Sequence, residues 1–532
     1  MKAPKAYRLA VALGLLAVVI HLPGLDDAGL TWDEPKYMDL AVGIQEWTSR
    51  VIFGPDRMEA LSREVIAAQW DPPEVDFYNP HPPFFKIAMA ASDAIVGRWM
   101  GTVPAMRLAS LVWFALLVTA VTLVAGWRWS TAAALGAGLA MLTMPRVVGH
   151  AHIAATDTPL TLFWFVGTLA TVGFLRTEQR KWLVLGGVAV GLAMATKFTG
   201  YLLPVPLFLW ILVYHRNRRG LLAAGFIVAV GLGVAILMNP LAWHGPIEFT
   251  RKLIEESLDR ESIIPINTYY MGYKYGYVVP WHQSPVMLLI TTPVPLLSLF
   301  LLGTAAALAR WKTEAVAALC VLQLVFFMVV MGLPSSPNHD GIRLFLPLFP
   351  FLALLMGRGL HRLNGSLRQQ VRPGMYRGAA LSALTLFYLP PAAQTYSYAP
   401  FYLSYYNEMV GGLSGAVLRG FEATYWYDAM LPEFLDAVNE LVKPGDHIAV
   451  WPSRPYYEEL QRYGYLRDDV VITETIPSTY YLQLSRLSNF DAIQWAVYNH
   501  VQPVLSVTHD GVELAALYSW ASPDSATAED SD

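Results

Sequence analysis

Charged residues make up only 15% of this 532-residue chain, against about a quarter in soluble domains. With 55% hydrophobic residues and long apolar runs through the first three quarters, that shortage excludes an ordinary soluble enzyme and identifies a polytopic membrane protein. Cysteine occurs once, at Cys320 inside an apolar run, so an intramolecular disulfide is ruled out and a core thiol is expected. A formal net charge of -4 gives no basis for nucleic-acid binding. The chain also lacks a glycine-rich phosphate loop, a Ser-His-Asp order, an HExxH motif and any repeat of fixed period. After the apolar run 9–22, Leu22-Pro23-Gly24-Leu25-Asp26 offers no small-x-small cleavage site, which predicts an uncleaved first span rather than a signal peptide.

Apolar runs predict about eleven spans, near 9–23, 107–126, 131–148, 158–175, 182–196, 201–214, 221–238, 285–308, 314–332, 343–357 and 378–392. Segment 84–97 carries Lys86 and Asp93 and is expected to lie along the interface. With that choice every strongly basic short loop falls on one side: Arg128, Arg176 to Lys181, Arg216 to Arg219, Arg310 with Lys312, and the five arginines between 358 and 377. The positive-inside rule makes that side cytoplasmic. Loops 24–106, 149–157, 239–284 and 333–342 then share the outer face with the tail from 393. The expected organisation is a transmembrane domain over 1–392, an extracytoplasmic α/β domain over 393–521 and a disordered acidic tail over 522–532. In the second domain His447–Trp451 and 470–474 read as strands, 431–442 as an amphipathic helix, and 503–518 as a hairpin turning at Asp510-Gly511.

The outer loops hold the chemistry. Asp33-Glu34 follows the first span, where a carboxylate pair binds a cation, takes a proton or caps the next helix. Asn79-Pro80-His81-Pro82-Pro83 leads to Lys86 at the opening of the interfacial helix. His150-Ala151-His152 precedes Thr156-Asp157-Thr158-Pro159, a spacing that suits either a divalent metal, with Asp33, Asp157, His150 and His152 as candidate ligands, or hydrogen-bonded structure. Lys197 sits between two short apolar runs, and Asn338-His339-Asp340 leads to Arg343, a side chain suited to gripping phosphate. Acids and cations converging on one membrane face suit polyprenyl-phosphate sugar chemistry: a carboxylate deprotonates the acceptor while cations stabilise the departing phosphate.

These motifs resemble the protein O-mannosyltransferase and lipid A aminoarabinose transferase families of the GT-C superfamily. The resemblance rests on Asp33-Glu34, His81-Pro82-Pro83, Arg107-Leu108-Ala109-Ser110, Asp157-Thr158-Pro159, Thr196-Lys197-Phe198-Thr199-Gly200 and Arg343-Leu344-Phe345-Leu346-Pro347, with Tyr405-Tyr406-Asn407-Glu408 before an α/β tail. It implies a bacterial inner-membrane enzyme that transfers a sugar from a polyprenyl-phosphate donor, with inversion, to an acceptor the sequence leaves open. Asp33 would be the base, supported by Glu34, with Asp157 a second acid. His81, Lys86, Arg107, Lys197, His339, Arg343, Tyr405 and Asn407 would meet donor phosphate or sugar. Where the aminoarabinose transferases have Lys-Pro, this chain has His81-Pro82. A transporter of lipid-linked sugars is the alternative, although its expected mid-span charges and inverted repeat are missing.

Overall fold

The computed structural model describes residues 3–70, 81–258, 266–475 and 478–520. Asn79, Pro80 and the acidic 522–532 tail lie outside them. The first three quarters are helical apart from a two-stranded antiparallel sheet, Thr268–Tyr270 with Tyr273–Tyr275. Among the described residues four helices are long and apolar enough to cross a membrane: Thr102–Arg128, Asp157–Thr177, Arg218–Leu237 and Arg343–Gln370. Two bent pairs raise the number to six if each is one span. Several other runs expected to span form helices of 17 residues or fewer, such as Arg180–Met194, Pro204–Tyr214 and Ala315–Met331.

Both bends fall where proline removes a backbone donor and pushes the preceding residue out of helical geometry. Thr131–Leu142 turns by 69° into Pro145–Ala151, with Met144 extended before Pro145. Gln283–Ile290 turns by 117° into Val294–Leu308 across Thr291-Thr292-Pro293. The second break strands carbonyls that water cannot reach, and Asn407 satisfies them. Its amide donates to Leu289 O and Thr292 O, both at 2.7 Å, and its backbone N–H to Ile290 O at 2.8 Å.

Helices meet through small residues. A Cβ on Gly303 would lie 1.8 Å from the Leu355 carbonyl oxygen, and one on Gly359 2.1 Å from that of Leu299, so Val294–Leu308 and Phe349–Gln370 cross backbone to backbone. The buried Phe349–Leu360 stretch fills the centre of the bundle.

The carboxy-terminal part is an α/β unit with one five-stranded sheet, in the order Val471–Thr473, His447–Trp451, Tyr480–Leu484, Val512–Ser519, Leu505–His509. The first three strands are parallel and the last two pair antiparallel. The Asp510-Gly511 turn sits where expected, with φ of 47° and 73°, the left-handed pair that matches strand twist. The amphipathic helix is Pro432–Leu441. Strand Tyr480–Leu484 and helices Arg454–Arg462 and Ala492–His500 complete the unit.

Replacing Asn407 with Ala should leave two buried carbonyls unpaired and cost about 2–4 kcal/mol of stability. A thermal midpoint in detergent unchanged from the parent protein would show that the helix break needs no such clamp.

Candidate active site

Asp33 and Glu34 open the helix Glu34–Phe53, held at its start by Pro35. They are adjacent in sequence yet serve different surroundings. Glu34 is fully buried, and its carboxylate takes four hydrogen bonds. Arg107 Nε reaches Oε1 and Arg107 Nη2 reaches Oε2, each at 2.8 Å. The backbone N–H groups of Ala154 and Thr31 supply the other two at 2.8 Å. Arg107 spends its remaining donors on the carbonyls of Leu25, Ala28 and Gly29. The pair therefore ties the first loop to helix Thr102–Arg128 and to loop 152–156. No lone pair or donor remains for substrate, which revises the expectation of chemistry at Glu34 and of phosphate contact at Arg107.

Asp33 faces the opposite company. Its Oδ2 is ion-paired with Arg343 Nη2 and accepts the Trp426 indole N–H at 3.2 Å. The same guanidinium donates from Nε to Asp157 Oδ2 at 3.2 Å and from Nη1 to Asp340 Oδ2 at 3.1 Å, and it lies 3.7 Å above the Trp426 ring. Lys197 Nζ holds the other Asp157 oxygen at 2.6 Å. Arg486 Nη2 holds Asp340 Oδ1 at 3.2 Å, and His339 Nδ1 lies 2.9 Å from Oδ2. Asp33, Asp157, Lys197, His339 and Arg343 thus lie in one cluster. Burial penalises ionised Asp340, but His339, Arg486 and Arg343 outweigh it and hold the carboxyl well below the usual carboxylate range.

The remaining expected residues are elsewhere. His81 and Lys86 line a separate groove of about 360 Å³ with Trp70, Asn239, His244 and Lys252. Lys86 Nζ donates to the His81 carbonyl at 2.7 Å and lies 5.6 Å over the Tyr37 ring, one helical turn beyond Asp33. Tyr405 is buried and donates to Gln394 at 2.8 Å. Together with the committed amide of Asn407, this revises both from sugar contacts to structural residues. The metal expectation also changes. His152 packs against His21 and Tyr402 and meets Val148 O at 3.1 Å, whereas His150 packs beside Trp426. Among the described residues no group of three or more His, Cys, Asp or Glu side chains has metal-holding geometry. Asp33 and Asp157 have guanidinium and ammonium groups as counter-ions, a donor set that does not fit a divalent ion.

Sequence reading passed over Trp426, Asp340 and Arg486 as site residues. The Asp340-Gly341 turn, with φ of 55° and 62°, was the available signal for the second. Trp426 arrives on an aromatic loop whose Gly29-facing side is so close that a Cβ on Gly29 would meet Met430 O at 2.4 Å.

Glu34→Gln should lower stability by about 3 kcal/mol, because it leaves a fully buried guanidinium under-compensated, while Asp33→Asn, which removes a more exposed acid from an Arg343 that keeps two carboxylates, should cost less and still fold; equal thermal midpoints for the two variants would refute the division. Asp428, on the Trp426 loop, has its carboxyl pushed up to about 6 by burial, against which Thr424 donates a hydrogen bond. A raised acid stabilises the fold below its unfolded value near 4 and loses that contribution as pH climbs through 6. Asp428→Asn should therefore raise the midpoint at pH 8 and leave it unchanged at pH 4, as differential scanning calorimetry can test.

Residues 80–244 match the sequence profile of the dolichyl-phosphate-mannose-protein mannosyltransferases, a stretch that includes Lys86, Asp157 and Lys197 but neither Asp33 nor Arg343. No curated protein gives a significant match. Among solved structures the chain is similar to ArnT from Cupriavidus metallidurans, crystallised with undecaprenyl phosphate and in the apo state. The TM-score is 0.53 at 16% identity, over 95% of this chain and 97% of that one. It is also similar to AglB, the oligosaccharyltransferase of Archaeoglobus fulgidus determined with an inhibitory peptide and a dolichol-phosphate, at TM-score 0.51 and 10% identity, over 97% and 75% of the two chains. The polytopic architecture expected from the apolar runs is thus the GT-C membrane fold, and the chain is similar to ArnT and to the protein mannosyltransferases, as its short motifs led us to expect.

Proposed function

We propose that this protein transfers a sugar from a polyprenyl-phosphate carrier to an acceptor hydroxyl, with Asp33 as general base. One observation carries the reading: Arg343 joins Asp33 and Asp157, acids from segments more than a hundred residues apart, on one buried guanidinium. In the resting cluster three carboxylates (Asp33, Asp157, Asp340) meet three cations (Arg343, Lys197, Arg486), so no net charge is buried. Asp33 is its most exposed member, with 13% of its side chain accessible against 2% for Asp157 and 4% for Asp340. A donor phosphate arriving at Arg343 displaces Asp33 more readily than the deeper acids. The exchange gives the phosphate a bidentate partner and frees a carboxylate to take the acceptor proton.

Attack of the acceptor oxygen on the anomeric carbon then breaks the bond to phosphate oxygen from the opposite face, which inverts that centre. The charge that develops on the phosphate falls to Arg343, with Lys197 holding Asp157 in place behind it. The groove beside His81 and Lys86 suits a part of the carrier beyond the phosphate held at Arg343, and exposed apolar helix faces suit its tail. ArnT was crystallised with undecaprenyl phosphate and AglB with a dolichol-phosphate, which supports a carrier of this class.

The basic loops support eleven crossings in a bacterial cytoplasmic membrane, with the cluster and the carboxy-terminal unit on the outer side. Asp33→Asn should reduce transfer from a polyprenyl-phosphate sugar by about a thousandfold or more while the carrier still binds. Arg343→Lys should weaken carrier binding as well, because one point charge replaces the fork. Mass spectrometry of glycans and glycolipids from membranes with and without the protein reads the transfer and identifies the acceptor. Full transfer by Asp33→Asn would sink the reading.

A further inference from the structure

Outside the cluster around Arg343, a further buried cation has no carboxylate partner among the described residues. Arg146, on the helix Pro145–Ala151, is 1% exposed. Its Nε donates to the Tyr405 carbonyl at 2.9 Å, and its plane lies 4.5 Å from the Tyr406 ring and 5.4 Å from that of Tyr425. Among the described residues neither terminal nitrogen meets a well-aligned hydrogen-bond acceptor, although the Tyr406 hydroxyl interacts with the guanidinium, and the Tyr425 hydroxyl has no partner either. Burying a guanidinium whose terminal N–H groups are under-used is costly unless something completes it.

These groups line a cavity of about 20 Å³ with Arg486, Glu422 and the Asp340-Gly341 turn, and the half-buried Asn267 and Tyr269 form its rim. Arg343, Asp33 and Asp157 do not line it. Asp340 divides the two compartments, its Oδ2 turned to Arg343 and its Oδ1 to Arg486. Gly341 makes room: a Cβ there would lie 2.6 Å from Arg146 Nη1 and 2.8 Å from the Tyr425 ring. The volume admits an oxygen-sized group, since a single water needs roughly 10–15 Å³ by the same measure.

We propose that this cavity is an oxyanion-binding site, distinct from the donor-phosphate cations. It takes one terminal oxygen of a carboxylate or phosphate group between the Arg146 nitrogens, the Tyr425 hydroxyl and Arg486, while the body of the acidic ligand stays at the Asn267 and Tyr269 rim. Asp340 cannot neutralise Arg146, because Arg343, Arg486 and His339 already share it. Glu422 sets the pH range. Burial pushes its carboxyl up to about 7, opposed by Arg486 and by hydrogen bonds from Ser488. The titratable groups facing it are Arg486, Tyr269 and Tyr406. Below pH 7 a neutral Glu422 leaves the two guanidiniums open to an anion. Above it, the ionised carboxylate competes.

The test does not depend on sugar transfer. Calorimetric titration of the full-length protein in detergent with acetate and, separately, inorganic phosphate should give saturable binding at pH 6. Acetate keeps its charge between pH 6 and 8, so weaker acetate binding at pH 8 reads Glu422. The anion with the higher affinity separates a carboxylate ligand from a phosphate. Arg146→Gln should weaken binding about tenfold or more, and Glu422→Gln should abolish the difference between pH 6 and 8. Lys197→Gln, which alters the other compartment, should shift affinity by no more than about twofold. Absence of saturable binding by either anion, binding indifferent to both Arg146→Gln and Glu422→Gln, or binding lost in Lys197→Gln would overturn the proposal. If Arg146→Gln fails to fold, Tyr425→Phe and Glu422→Gln decide, and unchanged affinity in both would overturn it.

Discussion

One guanidinium organises the centre of this protein. Arg343 collects Asp33 from the first loop, Asp157 from the start of a central helix and Asp340 from the turn that precedes Arg343 itself. Each carboxylate would be expensive to bury alone, and so would the guanidinium. Together with Lys197 and Arg486 they form a balanced set in which every charge has a partner. The arrangement holds only when all the contributing segments are in place. The site is a product of the whole helical bundle rather than of any one motif.

The neighbouring acids Asp33 and Glu34 divide the labour that a sequence pair leaves undivided. Glu34 is immobilised by Arg107 and two backbone amides, which fixes where the helix Glu34–Phe53 begins. Asp33 is carried to the cluster by that anchoring and keeps an accessible edge. In the proposed reaction Asp33 exchanges partners, and such a carboxylate needs a rigid mount. The adjacent, fully bonded carboxylate supplies it.

The membrane class, the order of apolar segments and the α/β tail were legible because hydropathy and turn chemistry are local. The Asp510-Gly511 hairpin and strand His447–Trp451 lie where the pattern put them. Of the candidate site, Asp33, Asp157, Lys197 and Arg343 were legible as polar residues placed beside the apolar runs. Their division from Glu34, Arg107, Tyr405 and Asn407 was not, because spacing says nothing about which side of a buried carboxylate or amide is already satisfied. The two bends were not legible for a related reason. The breaks at Met144-Pro145 and Pro293 turn continuous apolar runs into angled pieces, and an apolar run has the same composition whether straight or bent. Arg146 and Trp426 stayed hidden because only tertiary packing brings residue 146 to 405 and 426 to 33.

Asn407 and Trp426 belong to the stretch that follows the last long helix, yet one clamps a break in the bundle and the other caps the acid at its centre. The boundary near residue 393 is therefore not a seam at which parts can be shuffled. A chimera joining this bundle to the tail of a distant relative inherits a mismatched plug at Thr291-Pro293 and a foreign side chain over Asp33. Grafting has to carry the 401–430 segment with the bundle and keep Arg486, which reaches Asp340 from just beyond strand Tyr480–Leu484.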